Sequence, residues 1–187
     1  MHRVIGLIAG SFKPYTAGHN FLVEKAASEC DQVILFVSTG DRARPGELPI
    51  QWNGQMEVIW HNFIEKSLPS NVKVIYTRQP IKEIYDTLIE ANANDSNVNS
   101  YIVYSDAKDL VSNYSQERQN RLFPRLLKNH QITFKPFERG NDSPDISGTI
   151  MRKYLETGNI KDFAKGLPPK IKNNAPMIYH ILGGKDV

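Results

Sequence analysis

Five short apolar runs punctuate the chain, at residues 4–9, 33–38, 72–76, 101–104 and 132–137. Each has the length of a buried strand. Between them, apolar side chains recur at helical spacing, as in Phe21, Leu22 and Ala26 or Ile81, Ile84, Tyr85, Leu88 and Ile89. Strands of this kind separated by helices predict a doubly wound α/β fold, a parallel sheet covered on both faces, with ligands taken beyond the carboxyl ends of the strands. At 187 residues the chain fits a single domain spanning 1–187, long enough for one good core.

Breakers place the loops. Residues 92–99 are asparagine-rich and read as an exposed connection, and residues 41–49 are interrupted by Pro45, Gly46 and Pro49 just after Gly40. Beyond Arg152, the pattern Tyr154, Leu155 and then Ile160, Phe163, Ala164 predicts two short helices split at Gly158-Asn159, the second ended by Pro168-Pro169. Residues 153–187 therefore form a C-terminal helical extension. Its last apolar cluster, Met177, Ile178, Tyr179, Ile181 and Leu182, is expected to pack on the domain or on another subunit of a homo-oligomer.

Two places are chemically distinctive. Directly after the first run the chain reads Gly10-Ser11-Phe12-Lys13-Pro14-Tyr15-Thr16-Ala17-Gly18-His19. A strand that breaks into such a loop and restarts as a helix at Gly18-His19 brings backbone N–H groups and the positive end of a helix dipole to one point, which suits a polyphosphate. Ser147-Gly148-Thr149, ahead of a helical run over 150–155, is a second helix start of the same kind, and Arg152 lies one turn in.

Charge and cysteine content narrow the setting. With 23 Lys and Arg against 20 Asp and Glu, the formal charge is +3. That balance argues for no nucleic-acid surface, and Lys165, Lys170 and Lys172 lack the interleaved aromatics a nucleic-acid partner would need. Cys30 is the only cysteine, which excludes an internal disulfide and a structural zinc site built on thiolates. A reducing, cytoplasmic setting is expected. The first apolar run is too short for a membrane span and lacks the layout of a signal peptide, so a soluble, unprocessed protein is expected. No cluster of His, Asp and Glu has the spacing of a dedicated metal cage.

The ten-residue loop resembles the first signature of the nucleotidylyltransferase superfamily, Gly-x-Phe-x-Pro-x-(His or Thr)-x-Gly-His, and Ile146-Ser147-Gly148-Thr149-Ile150-Met151-Arg152 resembles its second, Ile-Ser-x-Thr-x-x-Arg. Thr16 in the first His position is similar to the phosphopantetheine adenylyltransferase branch, whereas the second signature with Leu167-Pro168-Pro169 looks more like nicotinamide-mononucleotide adenylyltransferases. The resemblance implies a Rossmann-like, ATP-binding transferase. Such an enzyme moves a nucleoside monophosphate, AMP from ATP in the first instance and CMP from CTP as the alternative, to a small phosphomonoester and releases pyrophosphate. It implies His19, Thr16 and Arg152 as catalytic residues; Lys13, where many members carry Asp or Gln, is either a further catalytic residue that supplies the charge Thr16 lacks or a solvated loop lysine. It further implies nucleotide contacts from Gly10, Ser11, Phe12, Gly18, His19, Ser147, Gly148, Thr149 and Arg152, and acceptor contacts from Arg42 or Arg44. Asp106, Lys108, Asp109, Arg118, Arg121 and Arg125 either border the nucleotide or form a helix's wet face. Trp52, Trp60 and Phe63 are core or the wall of an acceptor pocket. Magnesium is expected to arrive with the nucleotide. A non-catalytic nucleotide-binding module that kept the fold is the reading from another class.

Overall fold

The apolar runs become strands. In the computed structural model, β1 (Val4–Gly10), β2 (Gln32–Ser38), β3 (Val72–Thr77), β4 (Ser100–Asp106) and β5 (Ile132–Phe137) pair in parallel in the order β3-β2-β1-β4-β5. This is the doubly wound arrangement, in which the strand order reverses beside the first strand. The structure describes every residue except 139, 141–143 and 187.

The chain gathers into two units. The first comprises Met1–Gly10, Leu22–Ser38 and Pro69–Glu138 and contains the sheet. Its core joins Leu7, Phe36, Tyr101 and Val103 of the strands with Ile84, Tyr85 and Leu88 of the helix Pro80–Ala93 and with Phe123 and Leu126. That helix starts with Pro80, whose missing N–H costs nothing in a first turn. At its far end Arg125 donates through Nε to the Asn92 carbonyl (2.7 Å) and through Nη2 to the carbonyls of Ala91 (2.6 Å) and Asn94. Arg125, expected at the nucleotide or on a wet face, is thus a side-chain clamp on the last carbonyls of a helix. Arg118 lies with its guanidinium carbon 4.5 Å from the centre of the Tyr85 ring.

The second unit comprises Ser11–Phe21, Thr39–Leu68 and the described part of 139–187. After a turn at Asn53 and Gly54, residues 57–67 form one helix with a wide π-type turn at Trp60–Ile64. The C-terminal segment follows its breakers: helices Gly148–Glu156 and Ile160–Lys165 are separated at Gly158 (φ 72°), and the helix Ala175–Ile181 comes after Pro168-Pro169. Tyr179 packs edge-on to Phe163, and the Lys185 N–H donates to the Leu155 carbonyl at 2.9 Å. The last apolar cluster thereby finds its cover within the unit, with Ile178, Tyr179 and Leu182 buried and Met177 left exposed. No helix among the described residues is long and apolar enough to cross a membrane.

Candidate active site

The residues of both signatures from Ser11 onward lie in the second unit. β1 ends at Gly10 and the chain passes into Phe12, whose φ of 54° is uncommon for a bulky side chain. Packing holds it there: the ring is buried and meets Tyr15 (5.5 Å between centroids), His19 (4.9 Å) and Trp60 (5.9 Å). Tyr15 lies against the other side of the cluster, stacked on the imidazole at 5.8 Å, and its hydroxyl donates to Asn20 Oδ1 at 3.3 Å.

Thr16 is the N-cap of the helix Ala17–Glu29. Its Oγ1 accepts the His19 N–H (3.3 Å), and its own N–H donates to His19 Nδ1 (3.0 Å). Two consequences follow. The Thr16 hydroxyl is wholly buried and also reaches the Ile146 carbonyl at 3.4 Å, so Thr16, expected on a phosphate, holds His19 in place instead. Because Nδ1 accepts from Thr16, the proton of the neutral imidazole sits on Nε2, at the far side of the ring, as a donor. The Ala17 N–H is used by the Gly166 carbonyl, which leaves Gly18 as the N–H of this first turn without a partner among the described residues. A Cβ on Gly18 would come 3.2 Å from the carbonyl oxygens of Pro144 and Ile146, so glycine is what lets the second signature approach.

Lys13 is buried, not solvated. Its ammonium donates to the Ser11 carbonyl (3.0 Å) and lies 5.7 Å from the centre of the Trp52 ring. Burial pushes its pKa from the ordinary 10.5 down to about 8, with the Asp41 carboxylate opposing the fall. Asp41 in turn accepts the Trp52 N–H at 2.8 Å. Sequence reasoning left Trp52 chiefly as core; a tryptophan just after a breaker-rich loop was the available signal for this seat beneath a lysine.

Arg152 ties the two signatures together. It is 4% exposed, and its Nη1 donates to the Lys13 carbonyl at 2.8 Å across 139 positions of sequence, while Nη2 donates to Thr149 Oγ1 at 3.0 Å. A Cβ on Gly148 would lie 2.9 Å from Nη1, so this glycine makes room for the guanidinium. Ser147 Oγ accepts the Ile150 N–H at 3.2 Å and caps Gly148–Glu156. The hydroxyls of Ser147 and Thr149, expected on phosphates, thus also serve the local structure. Arg42 is bound bidentately by Glu47, at 2.9 Å (Nε to Oε2) and 3.2 Å (Nη2 to Oε1), and Arg44 is exposed. Glu47, to which sequence reasoning assigned no role, joins Arg42 to Arg152, 3.6 Å from its Nε.

A family model for the citrate lyase ligase C-terminal domain matches residues 5–59, the stretch that holds the first signature, Arg42 and Arg44. Among solved structures, a Vibrio parahaemolyticus protein described provisionally as a nicotinate-nucleotide adenylyltransferase superposes with a TM-score of 0.55 at 15% identity, covering 93% of this chain and 99% of that one. The fold is that of the nucleotidylyltransferases. The bifunctional NMN adenylyltransferase/ADP ribose pyrophosphatase of Francisella tularensis is similar to this nucleotidylyltransferase-fold chain with a TM-score of 0.54 at 15% identity, over 98% of this chain and 53% of that one. Nicotinic acid mononucleotide adenylyltransferase of Plasmodium falciparum, solved with APC, has a TM-score of 0.50 at 16% identity, over 98% and 99% of the two chains. No curated protein matches by sequence.

Proposed function

We propose that the chain is a nucleotidyltransferase that moves AMP from ATP to a small phosphomonoester and releases pyrophosphate. The observation that carries this reading is the meeting of two helix starts through Arg152 Nη1 and the Lys13 carbonyl, 2.8 Å apart, with the second signature backed onto Gly18. Phosphoryl chemistry of this kind needs no protein nucleophile. An acceptor phosphate oxygen attacks the α-phosphorus in line with the leaving pyrophosphate, and catalysis consists of alignment and of neutralising charge on the oxygens. His19 Nε2–H and the Gly18 N–H donate to the α-phosphate. The first turn of Gly148–Glu156 faces the departing phosphates, and Lys13 adds a positive charge that is present at neutral pH. Magnesium would come with the triphosphate and be held mainly by its oxygens; among the described residues no group of three His, Cys, Asp or Glu gathers to hold a metal.

Adenylyl rather than cytidylyl transfer is supported by the adenylyltransferases among the structural neighbours, and their names make pyridine mononucleotides the first acceptors to try. The test is pyrophosphate release from ATP and from CTP, with magnesium, across nicotinate mononucleotide, nicotinamide mononucleotide, phosphopantetheine and simple sugar phosphates. Release from ATP that requires one of these acceptors is the expected result. ATP binding with no release for any acceptor would make the chain a binding module.

A further inference from the structure

Glu47 stands where a richer anion would fit better. Both of its carboxylate oxygens are spent on the Arg42 fork, at 2.9 and 3.2 Å. Arg152 Nε, with Nη1 and Nη2 already donated elsewhere, is left 3.6 Å from Oε2, buried and without a hydrogen-bond partner among the described residues. A planar carboxylate has no third oxygen to offer. A tetrahedral phosphate does: two oxygens can meet the Arg42 fork while a third meets Arg152 Nε.

The charge points the same way. Arg42, Arg44 and Arg152 all act electrostatically on Glu47, and Arg42's hydrogen bonds hold its carboxyl below the usual carboxylate range, so a single negative charge faces three positive ones. Burial first, and the Arg42 charge after it, lower the pKa of Arg152, while Glu47 opposes the fall. The other acid near Arg152, Glu156, is paired with Lys153 at 3.7 Å. A dianion would neutralise more of this cluster than Glu47 does.

The loop is built to let Glu47 leave. Arg42 and Ile50 exchange backbone hydrogen bonds at 2.8 and 2.9 Å, which pins Arg42 while residues 43–49 form an arc that is exposed over Ala43, Arg44, Pro45 and Gly46. That arc carries a Glu47 N–H to Arg44 carbonyl bond (3.1 Å), and it turns at Gly46 (φ 80°), around which space is open. We infer that Glu47 is an internal stand-in for a phosphate group: it occupies the Arg42–Arg152 seat in the unliganded protein and swings out with the arc when a phosphate dianion enters. The inference rests on the reading above in that the phosphate belongs to the acceptor or to the leaving pyrophosphate.

Calorimetric titration of the full chain with inorganic phosphate and with inorganic pyrophosphate, for wild type and Glu47→Gln, tests this without turnover. An engaged stand-in populated about ten to one raises the apparent Kd about tenfold, so Glu47→Gln is expected to bind about tenfold more tightly. A larger gain for phosphate assigns the seat to the acceptor, and a larger gain for pyrophosphate assigns it to the leaving group. Equal or weaker binding by Glu47→Gln overturns the inference, since Glu47 would then merely align the arginines. So would a gain that survives in Arg42→Gln/Glu47→Gln. Should Glu47→Gln melt early, Glu47→Asp, too short to span both guanidiniums, is expected to show a smaller gain, and no gain overturns the proposal. An inactive chain that shows the gain keeps the stand-in and refutes the catalytic reading; an active chain without it does the reverse.

Discussion

His19 illustrates how a side chain becomes a directed donor. Thr16 takes Nδ1, Phe12 and Tyr15 hold the ring, and the remaining nitrogen carries the proton. His19→Ala is expected to lower kcat by about two to three orders of magnitude with the melting temperature little changed, as for other lost donors to a developing oxyanion. Near-wild-type turnover in a folded variant would dismiss the mechanism. Lys13 adds a pH dependence. Its pKa in the fold, about 8, lies below its ordinary 10.5, so the burial penalty on its charge is present below pH 8 and fades as pH rises toward 10.5. The charge available to a phosphate is lost over the same rise. The profile of kcat/KM against pH should therefore fall on an alkaline limb near pH 8 that Lys13→Met removes while lowering activity at pH 7. A limb unchanged in Lys13→Met would belong to another group.

The helix Gly148–Glu156 serves two ends with one start. Ser147 caps it and Gly148 admits the Arg152 guanidinium, and in the proposed function its first turn meets the phosphates. Ser147→Ala is expected to cost about 1 kcal/mol through the lost cap, read as a fall of about 2–4 °C in Tm. Beyond that, calorimetry should find ATP binding weakened and AMP binding nearly unchanged, because the first turn is assigned to the leaving phosphates. Equal losses for the two nucleotides would reduce Ser147 to a cap. The strands and this helix were legible in the sequence because each rests on local signals, an apolar run or a Ser-Gly-Thr start. The helix over 57–67 was not read, although Met56, Ile59, Trp60 and Ile64 recur at helical spacing and are all buried; its π-type turn at Trp60–Ile64 is the part that carries no sequence signal.

For the molecule as a whole, a ligand that binds the native state alone stabilises it by mass action. ATP with magnesium at about a hundredfold its Kd is expected to raise Tm by about 5–10 °C, and adenosine, lacking phosphates, to raise it little. An equal rise with adenosine would move the binding energy away from the phosphate loops. The sequence by itself determined the parallel doubly wound sheet and the two signature loops, because buried runs and helix starts are encoded in neighbouring residues. It could not decide which polar groups face a ligand and which hold the scaffold. Thr16, Arg152 and Arg42 read alike as phosphate binders along the chain. Thr16 meets His19 through a helix cap closed between residues three apart, but only the tertiary structure drew Arg152 onto a carbonyl 139 positions away and set Glu47 beside both Arg42 and Arg152. A charged or hydroxylated side chain takes whichever partner the fold brings within hydrogen-bond reach, and for Arg152 and Arg42 that partner is supplied by distant chain or by loop geometry that no local pattern records.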